Sequence, residues 1–262
     1  MRYAKERSHT PLHLREQVLL RGPTEENDIT AAHITEFADQ ADIAPYINVW
    51  QQRHEMVLRD ALTIQSIPAP TYHEGERAHR LRDWLADSRL SNISIDEVNN
   101  VYARLPGADP SLPGLLVSAH LDTVFPGEVD LRTRRSRARI HGPGLGDNSL
   151  GLAAMLNLAR VLAEHEHTPP CDIWWVATVG EEGLGDLRGM RAAVDTLGDR
   201  LGAAIGLEGI GLGKVYNAGL GVRRLRVDVR GPGGHSWLHP NRPSAVHFLL
   251  ELGGELVKTV KT

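Results

Sequence analysis

The segment 173–183, IWWVATVGEEG, decides the fold of this chain because an apolar run ends in two adjacent carboxylates. A run this short, bounded by prolines on one side and a glycine on the other, is typical of a buried strand in a parallel sheet. Glu181 and Glu182 repel each other at the end of such a strand, and both resist desolvation. A protein tolerates that arrangement when a cation or a reaction uses the pair, although a solvated turn is the ordinary alternative.

Composition indicates a water-soluble globular protein. The 262 residues are 41% hydrophobic and 24% charged, and the formal net charge of −4 gives no reason to expect nucleic acid or an anionic membrane surface as partner. The lone cysteine, Cys171, excludes an intramolecular disulfide and a cysteine-built zinc site, and it is compatible with a reducing compartment. No run approaches a membrane span, and the first residues lack the apolar region of a signal peptide, so we expect a cytoplasmic location.

Alternating helices and strands predict an α/β fold, a mostly parallel sheet sandwiched by helices. We expect an N-terminal extension over residues 1–46, a large domain over 47–217, and the first strand and helix of a smaller α+β domain over 218–262. The predicted helices span residues 47–63, 74–85, 148–164 and 244–258. The predicted strands span residues 93–98, 101–105, 114–119, 173–177, 203–207 and 222–229. An alternating arginine run over residues 132–139 predicts the exposed face of a hairpin.

Three of the predicted strands, all expected to be buried, end at potential metal ligands. The strand over 114–119 is followed by His120, the strand over 173–177 by the Glu181–Glu182 pair, and the strand over 203–207 by Glu208. In open α/β sheets, ligands bind beyond the carboxyl ends of the strands. Each residue alone has an ordinary structural explanation, but three strand ends together predict one site built from an imidazole and carboxylates.

Asp122 is placed to support His120. Side chains two residues apart in an extended chain share a face, so the carboxylate of Asp122 can accept a hydrogen bond from the imidazole of His120. Such a bond fixes the tautomer and makes the ring a better metal ligand.

A glycine-rich stretch over residues 142–148, GPGLGDN, precedes the predicted helix. A phosphate-binding loop is one alternative, but the glycine spacing fails the dinucleotide pattern, no lysine is present, and Asp147 would repel a phosphate. Asp147 as the N-cap of the following helix is another alternative. Our interpretation is that Asp147 bridges two metal ions, while the glycines let the backbone pass close to the site.

The sequence contains four motifs in this order: His120–Val124, Gly144–Asn148, Gly180–Gly183 and Gly233–Ser236. Their order is that seen in one enzyme superfamily. They resemble the co-catalytic dizinc metallopeptidases, which include carboxypeptidase G, peptidase T, aminoacylase, acetylornithine deacetylase and succinyl-diaminopimelate desuccinylase. The resemblance runs from about Ile47 to the C-terminus and is specific for the superfamily, not for a substrate. The Gly-Asp-Asn sequence and the continuation after Thr123 look more like the peptidase members.

The resemblance implies a role for each motif residue. His120 and Glu208 would bind one Zn²⁺, Glu182 would bind a second, and Asp147 would bridge them, with Co²⁺ or Mn²⁺ able to substitute. Glu181 would be the general base that takes a proton from the attacking water, and Asp122 would orient His120. The Asp147–Asn148 peptide is often cis in this superfamily.

The resemblance also implies substrates and partners. We expect cleavage of a small peptide or an N-acyl amino acid, most simply by an exopeptidase, with a biosynthetic deacylase as the alternative. His235 would stabilise the oxyanion in the active site of a neighbouring subunit, and residues 218–262 would form part of a lid through which a homodimer assembles.

Superfamily members continue well past the position of Thr262. They complete the lid and supply a late histidine to the metal bound by Glu182. We therefore expect a chain that is truncated relative to the family, and a non-catalytic metal-binding remnant is a further alternative.

Overall fold

The structure is a computed structural model, and it describes residues 36–37, 39–40, 43–86, 88–209, 214–218, 221, 226–235 and 237–259. Contacts divide the chain into a larger unit up to residue 212 and a smaller unit from residue 213. The domain boundaries expected from the sequence stay a prediction. Among the described residues, no helix combines the length and apolarity that crossing a bilayer requires.

A five-stranded sheet forms the centre of the larger unit. Its strand order is β1-β2-β6-β3-β7; β3 pairs in parallel with β6 and β7, whereas β2 pairs antiparallel with β1 and β6. Only β2 therefore runs against the other four strands, and the predicted mostly parallel sheet is confirmed. The strands are β1 (Ser91–Ile95), β2 (Val101–Leu105), β3 (Gly114–His120), β6 (Ile173–Thr178) and β7 (Leu201–Gly206).

Helices cover both faces of this sheet, as the sequence predicts. One hydrophobic cluster joins α2 to α4 with the sheet, and a second packs α5 against Leu116, Trp174 and Val176 on the opposite face. The helices are α1 (Ala44–Gln52), α2 (His54–Gln65), α3 (Gly75–Ala86), α4 (Gly151–Glu164), α5 (Arg188–Leu197) and α6 (Ala245–Thr259).

Two helix predictions are wrong in detail. The helix expected over residues 47–63 is two helices, because the backbone at Arg53 leaves the helical region and its amide bonds to the carbonyl of Trp50. The helix expected to begin at Asn148 begins at Gly151, because Asp147 and Asn148 have non-helical φ and ψ angles. Helix α5, which lies in a glycine-containing segment, has no counterpart among the predicted helices.

The prediction that the strand before Glu208 is buried is wrong. Ile205 in β7 is 49% exposed, whereas Leu116 in β3 is fully buried. The reason is position: β7 is the edge strand, paired only with β3 in the described sheet, and Ala203, Ala204 and Ile205 belong to neither hydrophobic cluster.

The predicted hairpin and the predicted last helix are both present. Strands β4 (Arg134–Ser136) and β5 (Arg139–His141) pair antiparallel with their arginines exposed. In the smaller unit, α6 confirms the helix expected over residues 244–258. Of the strand expected over residues 222–229, residues 222–225 lie outside the described part of the chain, and residues 226–229 form no strand.

Candidate metal centre

Three neighbouring strand ends bring the predicted ligands to one edge of the sheet. Because β6, β3 and β7 are adjacent and parallel, their carboxyl ends lie side by side. The chain continues the pairing past each end: the amide of Leu121 bonds to the carbonyl of Thr178, and the amide of Leu207 bonds to the carbonyl of Ser118, both at 2.7 Å. This geometry brings His120, the Glu181–Glu182 pair and Glu208 together beyond the carboxyl ends of the strands.

The His120 ring is the centre of the site. Its Nε2 atom lies 2.9 Å from Oδ1 of Asp147 and 3.5 Å from Oε2 of Glu208, and the side chain is 4% exposed. Its Nδ1 atom lies 2.9 Å from the backbone carbonyl of Asp122. That carbonyl accepts a hydrogen bond from Nδ1–H, so Nε2 is the ring nitrogen that faces the carboxylates and binds a cation once it is deprotonated.

Asp122 lies close to both the His120 ring and the acidic turn. Its carboxylate Oδ1 is 3.5 Å from His120 Nδ1, farther than its own backbone carbonyl. The carboxylate instead accepts hydrogen bonds from the backbone amides of Glu181, at 2.9 Å, and Glu182, at 3.0 Å, and from the hydroxyl of Thr71 at 2.9 Å. Asp122 therefore holds the His120 ring through its backbone and the acidic turn through its side chain.

Asp147 faces the site and does not cap the helix. Helix α4 has no side-chain N-cap, and Asp147 precedes a cis peptide bond to Asn148. The side chain of Asn148 donates to the carbonyl of Leu207 at 2.8 Å and accepts from the amide of Gly209 at 3.2 Å. Asn148 belongs to a predicted motif, and its contacts on both sides of Glu208 were not predicted from the sequence.

Crowded negative charge sets the electrostatics of the site. Burial raises the pKa of Glu182, and the charges of Asp147 and Glu181 raise it further, to about 7. Burial and the neighbouring acids also raise the pKa of Glu181. Burial lowers the pKa of His120, but hydrogen bonds and charges from Asp122 and Glu208 outweigh it and raise the pKa to about 10. The pKa shifts of Glu181 and Glu182 both arise from burial and from repulsion between neighbouring carboxylates, which is the setting that a bound cation would relieve.

The donor atoms fit metal ions. Ligand atoms of His120, Asp147 and Glu208 lie within 4.8 Å of one another, and so do those of His120, Glu181 and Glu182. One imidazole with several carboxylates and no thiolate is a donor set that Zn²⁺ accepts. The assignment of individual residues to two metals, with Asp147 as the bridge, stays a prediction.

A cavity of about 220 Å³ opens beside these groups. Its lining includes His120, Glu181 and Glu208, and Leu187, Met190 and Leu207 contribute apolar surface. A cavity with apolar walls and a few converging polar groups is the usual form of a small-molecule site.

His235 belongs to the smaller unit and is exposed. Its Nδ1 atom accepts a hydrogen bond from the amide of Trp237 at 3.3 Å, and its own amide donates to Nδ1 of His239 at 3.2 Å. Its expected contribution to an active site stays a prediction.

Known proteins support the superfamily relationship. Residues 100–217 match the model of Peptidase family M28. The chain is 34% identical over 139 residues to a putative succinyl-diaminopimelate desuccinylase of Mycobacterium tuberculosis. The aligned region covers 52% of this chain and 37% of that protein. It is 30% identical over 135 residues to a vacuolar membrane protease of Candida dubliniensis, which covers 49% of this chain and 12% of that protein. The chain thus spans well under half of these relatives.

A solved structure shows the same fold. The di-peptidase Dug1p of Saccharomyces cerevisiae superposes with a TM-score of 0.50 at 14% identity, covering 62% of this chain and 40% of that one. The predicted α/β fold is therefore confirmed. The family match and the desuccinylase relative confirm the resemblance to metallopeptidases and related amide hydrolases.

Proposed function

We propose that this chain forms the metal-binding part of a zinc-dependent hydrolase that cleaves peptide or N-acyl-amino-acid amide bonds, acting as an exopeptidase. The observation that carries the proposal is the convergence of Asp147 and Glu208 on Nε2 of His120, with the acidic turn alongside. The family match supports the same class of reaction.

Each residue of the site has a separate proposed role. His120, Asp147, Glu182 and Glu208 would hold the ions, which when bound polarise the amide carbonyl and make water more acidic. Glu181 is exposed at the cavity, so it can take a proton from the attacking water and return it to the leaving amine. Its raised pKa suits a group that must both accept and release a proton. Asp122 orients His120 and fixes the backbone that carries Glu181.

A deacylase is the second candidate. The Mycobacterium tuberculosis relative is named a desuccinylase, and a second relative, from Paenarthrobacter aurescens, is named an N-carbamoyl-L-amino-acid amidohydrolase. Both activities break a carbon–nitrogen bond next to an amino acid, so the same carboxylates could serve either substrate.

Location and assembly complete the proposal. A cytoplasmic enzyme is supported by the single cysteine of the chain. Assembly as a homodimer through residues 218–262, with His235 acting across the interface, rests on the motif resemblance alone.

Metal analysis combined with a substrate panel tests the function. The zinc-loaded 262-residue chain is assayed against dipeptides, tripeptides, and N-acetyl and N-succinyl amino acids, with chelator-treated protein as control. Two zinc ions per chain and chelator-sensitive hydrolysis of peptides support the exopeptidase, whereas preference for acyl amino acids supports the deacylase. One zinc ion with no hydrolysis supports the non-catalytic remnant.

A further inference from the structure

The turn that carries Glu181 and Glu182 is held by side chains from other elements through four successive backbone amides. The amide of Val179 donates to Oδ1 of Asn100 at 3.0 Å. The amide of Gly180 donates to Oε1 of Glu74 at 3.1 Å, and the next two amides donate to the carboxylate of Asp122. Two buried carboxylates, from distant parts of the sequence, therefore fix three consecutive residues of the turn.

Glu74 lies just before α3 and is fully buried. Besides the amide of Gly180, its Oε1 atom accepts the amide of Tyr72 at 3.0 Å. An Nη atom of Arg188, the first residue of α5, lies 2.8 Å from both carboxylate oxygens. The metal-site assignment does not use Glu74 or Arg188. Burying the carboxylate of Glu74 carries a desolvation cost, which its hydrogen bonds and its ion pair with the partly buried Arg188 offset.

Arg188 also contacts Val98, Tyr72 and the backbone position of Gly180. One Nη atom donates to the carbonyl of Val98 at 3.0 Å, and the guanidinium lies 5.0 Å from the ring centroid of Tyr72. Gly180 has a φ of +61°, and a Cβ there would lie 2.6 Å from Cγ of Arg188. Glycine is therefore required at the point where the acidic turn leaves β6.

The segment that contains Tyr72 and Glu74 also contacts the acidic turn on the C-terminal side of Glu182. The hydroxyl of Tyr72 donates to the carbonyl of Leu184 at 2.7 Å. Residues 72 and 74 thus contact both sides of the Glu181–Glu182 pair, at positions 184 and 180.

We infer that Glu74, paired with Arg188, is a positioning residue that sets where Glu181 and Glu182 sit relative to the metal ligands. Hydrogen bonds from amides to an ionised acceptor are about twice as strong as neutral ones, so this contact constrains the turn strongly. Reactive groups must hold their geometry to within about 0.5 Å, and small displacements of a turn exceed that tolerance. The inference rests on the proposed function for its catalytic consequence only; the effect on the turn and on metal binding is independent of it.

The test compares Glu74→Gln/Arg188→Met with Glu76→Gln in the full chain. The double variant removes both charges together and so avoids leaving one buried charge unpaired. Glu76 is exposed in the first turn of α3, two residues after Glu74, and provides the matched control. Arg188→Lys keeps a charge beside Glu74 and is the milder variant if the double variant fails to fold.

Three readouts separate positioning from general stability. In the metal-free protein, amide hydrogen exchange at residues 180–182 should rise at least tenfold relative to residues 114–120 of β3. Zinc affinity should fall by about 10- to 100-fold, the usual effect of changing residues that support metal ligands. Where the parent protein hydrolyses a substrate, kcat should fall with KM little changed. Arg188→Lys should show the same pattern to a smaller degree.

Two results would overturn the inference. One is unchanged exchange and zinc affinity in a folded variant; the other is exchange that rises equally across the sheet, which indicates a purely structural ion pair. If the parent protein binds zinc but hydrolyses no amide, the proposed function fails, while exchange and zinc affinity still decide the role of Glu74.

Discussion

The side-chain amide of Asn148 lies 2.8 Å from the carbonyl of Leu207 and donates a hydrogen bond to it. Asn148 also accepts the amide of Gly209, so it contacts both neighbours of Glu208. The residue that follows one predicted metal ligand, Asp147, therefore fixes the backbone around another.

Replacing Asn148 with alanine should weaken metal binding. Without the amide side chain, the segment around Glu208 loses two hydrogen bonds, and zinc affinity should fall by about 10- to 100-fold. Competition with a chromophoric chelator measures the change. Circular dichroism confirms that the variant is folded, and wild-type affinity in a folded variant would contradict the role.

Glu181→Gln should separate proton transfer from metal binding. Glutamine keeps the size of the side chain but cannot accept the proton, so kcat should fall by about 10²- to 10⁴-fold with zinc content unchanged. Glu182→Gln is the matched control and should lower zinc content. Retained turnover in Glu181→Gln would remove it as general base.

The stability of the metal-free protein should fall as pH rises. Glu182 has a pKa raised from 4.5 to about 7, so its protonated form stabilises the fold below pH 4.5, and that contribution is lost as pH rises through 7. His120, raised from 6.5 to about 10, stabilises the fold below pH 6.5 and loses this contribution as pH rises through 10.

Zinc should reverse this trend, because it favours the deprotonated ligands. Thermal unfolding between pH 5 and pH 9, with zinc and with chelator, should show a growing difference in melting temperature. A difference that shrinks with pH would argue against these groups as ligands.

Core truncations should distinguish the buried strand from the edge strand. Leu116→Ala removes a fully buried side chain and should cost about 2–5 kcal/mol in the free energy of unfolding. Ile205→Ala removes a half-exposed side chain of β7 and should cost well under half as much. Urea denaturation measures both, and equal losses would show that β7 is covered in solution.

The sequence allowed the sheet and the convergence of ligands to be predicted because both depend on local signals. Short apolar runs identify strands, and parallel strands place their carboxyl ends together. Burial of β7 was mispredicted because an edge strand and a central strand can share the same apolar composition. The start of α4 was misplaced because the non-helical backbone at Asp147 has no distinctive residue signal.

Supporting residues were harder to predict because they act across long separations. Glu74 contacts Gly180 from 106 positions away, and Asp122 contacts Glu181 from 59 positions away. No spacing rule links such pairs. Burial of a charged residue next to a glycine at positive φ is the structural signal that identifies Glu74, and it becomes visible only in three dimensions.

The His120 ring is shared by both groups of potential ligands, and its Nδ1 atom is engaged by the carbonyl of Asp122, so Nε2 is the ring nitrogen left to bind a cation. A nitrogen lone pair coordinates one metal ion at a time. Among the described residues of these two groups, the position that does not receive the Nε2 lone pair has only carboxylate oxygens as ligands. Two ions bound here should differ in affinity and in metal preference, with the oxygen-only position accepting harder cations such as Mn²⁺ more readily than its neighbour.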